Sequence, residues 1–288
     1  MRPAPTPLIP RYDRLVWDDS LREIGQVSLS CNFLQIMANS VDPHHVEWLH
    51  GKYPEYLRGE PPTLFSSHAV KIGFDLFEYG IIKRHLVAGQ TAESDSWKIG
   101  HPLVFPNILR VGSGGNCPMQ IRVPVDDCTT HIYYYTAYRP LQEIDVPPQS
   151  QIPVYDIPLR KADGAYALEV TDIQDMVMWI AQGRTVDRKV EKLATSDQGI
   201  GVLRRLFLSE MEKVENGEDP ICVVRDPAKN VRIDLPQERH AYERPSEWLK
   251  TVVMAGQSQF SPMKEQVLAL FEKAEALARK KIADAPRR

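Results

Sequence analysis

Five segments between residues 66 and 138 alternate apolar and polar side chains with a period of two, and this run constrains the fold more than any other part of the chain. They are residues 68–74, 76–86, 103–111, 119–125 and 131–138. Turn signals divide them at Ala88-Gly89, Ser113-Gly114-Gly115 and Asp126-Asp127. Consecutive strands joined by short turns favour an antiparallel meander. Residues 12–17 and 26–31 are further β-compatible runs parted by Asp18–Ser20, and residues 221–225 read as an edge strand.

Ahead of the meander, residues 31–50 read CNFLQIMANSVDPHHVEWLH, placing Asp42, His45 and His50 in a D-x-x-H-x-x-x-x-H arrangement. All three groups can hold or serve a metal. Two imidazoles leave most of a coordination sphere empty, so such a site needs an oxygen ligand from elsewhere and keeps positions open for substrate. Residues five apart diverge by roughly 140° on a regular helix. A π-bulge, which adds one residue to a turn, returns them to one face, and such bulges are frequent at functional sites. Asp42 suits the N-cap and Pro43 the first turn. One turn before His45, Asp42 can reach the ring nitrogen that does not face the metal and fix the imidazole's tautomer. Eight histidines in 288 residues make chance pairs common, and on spacing alone a surface or core pair is the commoner outcome.

The run CNFLQIMANSVDPHHVEWLHG resembles the mononuclear iron motif of Rieske-type aromatic ring-hydroxylating oxygenases, specifically the phthalate-type oxygenase component. Residues 122–140, RVPVDDCTTHIYYYTAYRP, are similar to the same family far from the histidines. The resemblance covers about residues 8–215. It implies an α+β fold of the helix-grip kind (START/Bet v 1-like), an antiparallel sheet wrapped around helices. It implies that His45 and His50 bind ferrous iron and that Asp42 links the iron to an electron-donating cluster. Gln174-Asp175, opening a helix whose face is Ile173, Met176, Val177 and Ile180, resembles the place of the third ligand, which makes Asp175 that ligand. Asp172, one turn earlier, is the alternative. Either aspartate would make an ordinary helix cap or first-turn acid, and periodicity does not choose between them. Two histidines and a carboxylate suit a non-haem Fe(II) that activates dioxygen.

The implied activity is oxygenation of an aromatic substrate, by ring hydroxylation or O-demethylation, with dioxygen as co-substrate. Electrons would come from a Rieske [2Fe–2S] centre and a reductase, in a homo-oligomer that is trimeric by resemblance. The family's C-x-H and C-x-x-H cluster halves are not both found in this sequence. Cys128-Thr-Thr-His131 stands alone and is not read as a cluster ligand. A truncated gene product, or a cluster carried on another polypeptide, is therefore expected. A different reading is a helix-grip module for hydrophobic ligands with a vestigial metal site; a third is a hydrolytic zinc site.

Residues 1–10, with four prolines, read as a lead-in or linker. Residues 11–244 read as the iron-bearing catalytic domain and 245–288 as a C-terminal helical extension. Gly183 is a plausible stop for the helix carrying Asp175, and a second helix spans about 196–214. Residues 51–63 read as a loop with a short helical piece, and 226–244 as a polar loop. A last helix starts at Ser261-Pro262, and its basic end, including Arg279 to Lys281, Arg287 and Arg288, reads as a solvated terminus. Substrate walls are expected from the strands between Ile72 and Tyr138 and from the helices at Met176 and Ile200. A net charge of −3 argues against a nucleic-acid surface, and no apolar run of membrane-spanning length or signal-peptide core occurs, so a cytoplasmic protein is expected. Cys31, Cys117, Cys128 and Cys222 lack paired spacing and are expected as free thiols.

Overall fold

In a computed structural model, which describes residues 5–59, 61, 67–111, 115–141, 144–237 and 245–283, eight strands form one sheet that grips helices on one face. The chain enters through a short helix α1 (Asp13–Val16) and strand β1 (Leu21–Leu29). Helix α2 (Phe33–Ser40) follows, then a π-segment (Val46–Lys52) running straight into α3 (Tyr53–Arg58). Next come β2 (Ala69–Phe77), β3 (Gly80–Val87), α4 (Asp95–Lys98), β4 (His101–Val104), β5 (Ile108–Arg110), β6 (Asn116–Asp126) and β7 (Thr129–Tyr138). A three-residue β8 (Val154–Asp156) precedes α5 (Thr171–Ala181), α6 (Gln198–Glu215), α7 (Pro245–Ala255) and α8 (Lys264–Ala283).

The spatial order is β2-β3-β4-β5-β6-β7-β1-β8. From β2 to β7 it is the antiparallel meander that the alternation predicts. β1 then pairs antiparallel with β7, and β8 runs parallel to β1. Period two sorts the side chains into two layers. Val27, Leu29, Ile132 and Tyr134 pack with Ile36 of α2 and with Ile173, Met176, Val177 and Trp179 of α5. Ile81, Leu103 and Leu109 pack with Met37 and Val41, and with Leu203 of α6. Tyr135 and Ala137, the alternate residues of β7, join Trp17 and Cys117 on the other face. Leu21 and Tyr138 at one end of the sheet meet Leu249 of α7 and Val267, Leu270 and Phe271 of α8.

Several elements differ from the sequence reading. Residues 13–16 are helical rather than strand-like. Asp13 and Arg14, adjacent and both buried, pair with each other, and Arg14 lies 3.9 Å from the centre of the Trp17 ring; alternation would have turned one of the two to the other face. Residues 103–111 are two strands because Pro106, with no N–H for the ladder, sits in a turn whose Asn107 side chain donates to the Arg122 carbonyl. The short helical piece expected within residues 51–63 is present as α3, closed by Gly59 at φ +64, while Thr63 lies outside the described residues. Residues 221–225 form no strand, only an isolated bridge from Val224 to Leu8. β8 went unread, while α7 falls within the helical extension expected from residue 245. Ser113, Gly114, residues 238–244, Arg287 and Arg288 lie outside the described residues.

The start of the described chain is extended, and it is fastened. Leu8 N donates to Val224 O at 2.7 Å, and Asn230 Nδ2 to Ile9 O at 3.0 Å. All four cysteines are free. Among the described residues, no helix is long and apolar enough to cross a membrane.

Candidate metal centre

Between α2 and β2 the chain builds the turn that the histidine spacing demands. Asn32 caps α2 by accepting from Leu34 N at 2.9 Å. After Val41, Asp42 Oδ1 accepts from His44 N at 2.8 Å and starts a new helix, with Pro43 where its missing N–H costs nothing. From Val46 to Lys52 that helix is wound as π, one residue longer per turn, so His45 and His50 share a face. Their ring centroids are 5.3 Å apart at 81°.

Each imidazole is oriented by its Nδ1. That of His45 lies 2.6 Å from the backbone carbonyl of Asp42, to which it donates; the Asp42 carboxylate is farther, at 3.7 Å. The sequence reading gave this role to the carboxylate, but the helix start already commits its Oδ1 to His44 N. The Nδ1 of His50 faces Gln174 Oε1 at 3.0 Å, and Gln174 Nε2 in turn donates to the Leu168 carbonyl at 2.7 Å. A carbonyl acceptor fixes the proton on Nδ1, so both Nε2 atoms carry lone pairs.

Those lone pairs converge on Asp175. Its Oδ1 lies 3.3 Å from His50 Nε2 and 3.9 Å from His45 Nε2, and the three ligand atoms all fall within 4.8 Å of one another. Two ligands about 2.1 Å from one ion are roughly 3.0–3.4 Å apart, so small side-chain shifts would seat a divalent cation. Asp175 Oδ1 is buried and makes no hydrogen bond among the described residues. Three acceptors facing one another repel unless a proton or a cation lies between them. With a proton, burial opposes the charge on His50, but Asp175, Gln174 and Asp172 together outweigh burial and raise its pKa. Burial would raise the pKa of Asp175, yet His50, then His45 and Arg122, hold it below the ordinary value. Burial lowers His45 to about 4.

Of the two aspartates that periodicity left open, Asp175 meets the histidines. Asp172 is engaged elsewhere, since its carboxylate accepts from Gln257 N at 2.8 Å, and burial raises its pKa to about 6. The cap of α5 falls to Val170 rather than to Asp172.

Arg122 and Tyr134 were not singled out from the sequence. Buried Arg122 donates to the Ile36 carbonyl at 3.0 Å and to Gln120 Oε1 at 2.7 Å, bonds Ser40 Oγ, and lies 5.1 Å from the Trp179 ring centre. Its charge helps to keep Asp175 ionised. The Tyr134 hydroxyl is buried with no hydrogen-bond partner among the described residues. Both lie at inward positions of β6 and β7, so an arginine in an inward register was the available signal. Cys128 and His131 are separately engaged, with Cys128 Sγ 3.6 Å from Thr185 Oγ1 and His131 Nδ1 2.7 Å from Ser28 Oγ.

A cavity of about 550 Å³ opens beside the histidines, lined by Asp42, His45, Trp48, Tyr53, Trp179 and Ile200 among others. Its walls come from α2, the π-segment, α3 and the expected helices α5 and α6, and not from the strands also expected to line it. A larger cavity of about 830 Å³, lined by Arg14, Trp17, Cys117 and Arg139, takes in none of His45, His50 and Asp175.

No family model matches the chain. It is 36% identical over 236 residues to the 5,5'-dehydrodivanillate O-demethylase oxygenase subunit of Sphingobium sp. (strain NBRC 103272 / SYK-6), covering 82% of this chain and 54% of that one. The chain is homologous to aromatic oxygenase subunits. Phenoxybenzoate dioxygenase subunit alpha of Ectopseudomonas oleovorans is 27% identical over 252 residues, covering 77% of this chain and 56% of that one. The chain thus spans about half the length of these curated relatives. Among solved structures, NdmA of Pseudomonas putida CBB5 is similar at 14% identity and TM-score 0.46, covering 73% of this chain and 56% of that one. Its QL mutant with theobromine is similar at 12% identity and TM-score 0.47, covering 82% and 62%.

Proposed function

We propose that this chain is the mononuclear-iron catalytic part of a Rieske-type aromatic oxygenase of the phthalate type, with residues 11–244 as the iron-bearing domain and 245–288 as an extension. His45, His50 and Asp175 hold ferrous iron. The observation that carries this reading is the convergence of two Nε2 lone pairs and a buried, unbonded carboxylate oxygen within 4.8 Å, each imidazole fixed by a carbonyl at its Nδ1. Bound there, ferrous iron would supply dioxygen activation, its remaining positions being open to oxygen and substrate.

The chain's own residues orient and insulate. Gln174 keeps the proton of His50 on Nδ1, the Asp42 carbonyl does the same for His45, and Arg122 offsets part of the carboxylate charge. Asp42 is the electron entry point, facing a Rieske centre that a reductase recharges and that these 288 residues do not encode. The higher identity to an O-demethylase subunit favours an aryl methyl ether as substrate. Each turnover would convert ArOCH₃, dioxygen, two electrons and two protons to ArOH, formaldehyde and water. A homo-oligomer, a trimer by resemblance, completes the reading.

The test has two parts. Anaerobic Fe(II) titration should bind one equivalent more in the parent and in Asp172→Ala than in His45→Ala, His50→Ala or Asp175→Ala. With a Rieske-bearing polypeptide and a reductase, oxygen uptake on aryl methyl ethers should match formaldehyde released. Ligand binding without coupled oxygen uptake would favour the carrier reading, and an iron stoichiometry in Asp175→Ala equal to the parent's would overturn the ligand set.

A further inference from the structure

The π-segment carries a second group of metal-ligating side chains that shares no residue with the first. His44 and Glu47 are three apart on the helix, a spacing that presents an imidazole and a carboxylate to one ion. His68 reaches them from the residue before β2. Ligand atoms of the three lie within 4.8 Å of one another, with His68 Nδ1 2.8 Å from Glu47 Oε2 and the His44 and His68 ring centroids 5.8 Å apart at 39°.

The two oxygens of Glu47 differ. Its side chain is 4% exposed, and Oε1 is taken by the Lys52 ammonium, which also sits 3.8 Å from the Trp48 ring centre. Oε2 faces His68, whose own side chain is 69% exposed, so the buried carboxylate meets the surface through that imidazole. Two imidazoles and one carboxylate with a position left for water form a set that zinc accepts. At about 2.0 Å from zinc, Nδ1 and Oε2 would be roughly 3.2 Å apart, a few tenths more than they are now. An exposed histidine at a strand entry can yield that much.

We propose that His44, Glu47 and His68 form a second divalent-cation site of the zinc class, distinct from the His45, His50 and Asp175 centre. An ion there would bolt the helix that bears both candidate iron ligands to the entry of β2. The inference stands without the iron reading, because the donor sets are disjoint.

Chelator-stripped full-length chain, titrated with Co(II) as the visible probe and with Zn(II) by calorimetry, should bind two equivalents. His68→Ala and His44→Ala should each bind one, and so should Asp175→Ala. The double variant His68→Ala/Asp175→Ala should bind none. Because His68 is exposed, His68→Ala should melt with the parent in the metal-free state, which separates loss of the site from loss of the fold. In the parent, Zn(II) should raise the melting temperature more than it does in His68→Ala. A second equivalent that persists in both His44→Ala and His68→Ala, or a parent that binds only one equivalent and keeps it in His68→Ala, would overturn the second site. Two equivalents retained in Asp175→Ala, one of them lost with His68→Ala, would uphold the second site and count against the first.

Discussion

Gln174 is the most informative position to perturb, because it makes two hydrogen bonds with opposite ends of one buried amide. Gln174→Leu leaves the Leu168 carbonyl and the His50 Nδ1–H without their partners at 2.7 and 3.0 Å. A buried polar group left unpaired costs about 1–3 kcal/mol, so the pair sums to roughly 2–6 kcal/mol of a total stability of about 5–15 kcal/mol. The metal-free protein can recover part of this. The proton of His50 can move to Nε2 and bond Asp175 Oδ1, 3.3 Å away. That rescue removes the lone pair a metal needs, so stability and metal affinity respond differently. Partners that orient a ligand histidine typically change affinity about 10- to 100-fold, or about 1.4–2.7 kcal/mol. Urea denaturation of stripped Gln174→Leu should show a loss at the low end of the range, and Fe(II) or Co(II) competition a weakening of at least about tenfold. Unchanged metal affinity in Gln174→Leu would refute the reasoning, since His50 would then be oriented by something else.

Asp42→Asn should keep its metal, because asparagine also caps helices and the His45 tautomer is set by the main-chain carbonyl; reductant-driven turnover with a Rieske donor should fall, and an unaltered rate would count against electron entry at this carboxylate. Glu23 accepts from the Tyr138 and Tyr155 hydroxyls at 2.9 and 3.0 Å and from Ser261, and burial raises its pKa above the ordinary 4.5. Its stabilising contribution is thus complete below 4.5 and is lost as pH rises through the raised value. Glu23→Gln should gain on the parent across that window in urea melts, whereas parallel stability–pH curves would contradict it. In Gly199→Ala the new Cβ would lie 2.4 Å from both Phe74 Cε1 and the Val41 carbonyl oxygen, so the variant should lose about 1–3 kcal/mol despite alanine's better helix propensity; equal or greater stability would show that α6 slides freely.

The sequence made visible what repeats or is spaced oddly. Alternation announced the meander, and a five-residue gap between two metal-capable histidines required a π-turn. Features set by distant partners stayed hidden. Residues 12–17 match a strand's period, but the Asp13 and Arg14 pair is completed by Gln237, which also binds Arg110 at 2.9 Å. Asp172 and Asp175 lie one turn apart on one helix, and the backbone N–H of Gln257 diverts the first. Arg122 looked like one more strand residue, because its acceptors on Ile36 and Ser40 are 86 and 82 positions away.

The place of β1 in the sheet bears on the order in which the molecule is made. β1 is made well before its antiparallel ladder partner β7, so the strand waits as an open edge until residues 129–138 arrive. The histidine-bearing helix waits longer: His50 and Gln174 are 124 positions apart, and closing so long a loop is an entropic cost met only when α5 docks. A cation that needs both histidines and Asp175 has little to hold on a nascent chain. Its capture would then mark the moment when the two ends of the sheet's history have met, and metal uptake during refolding should follow the slow closing step rather than the early formation of helix.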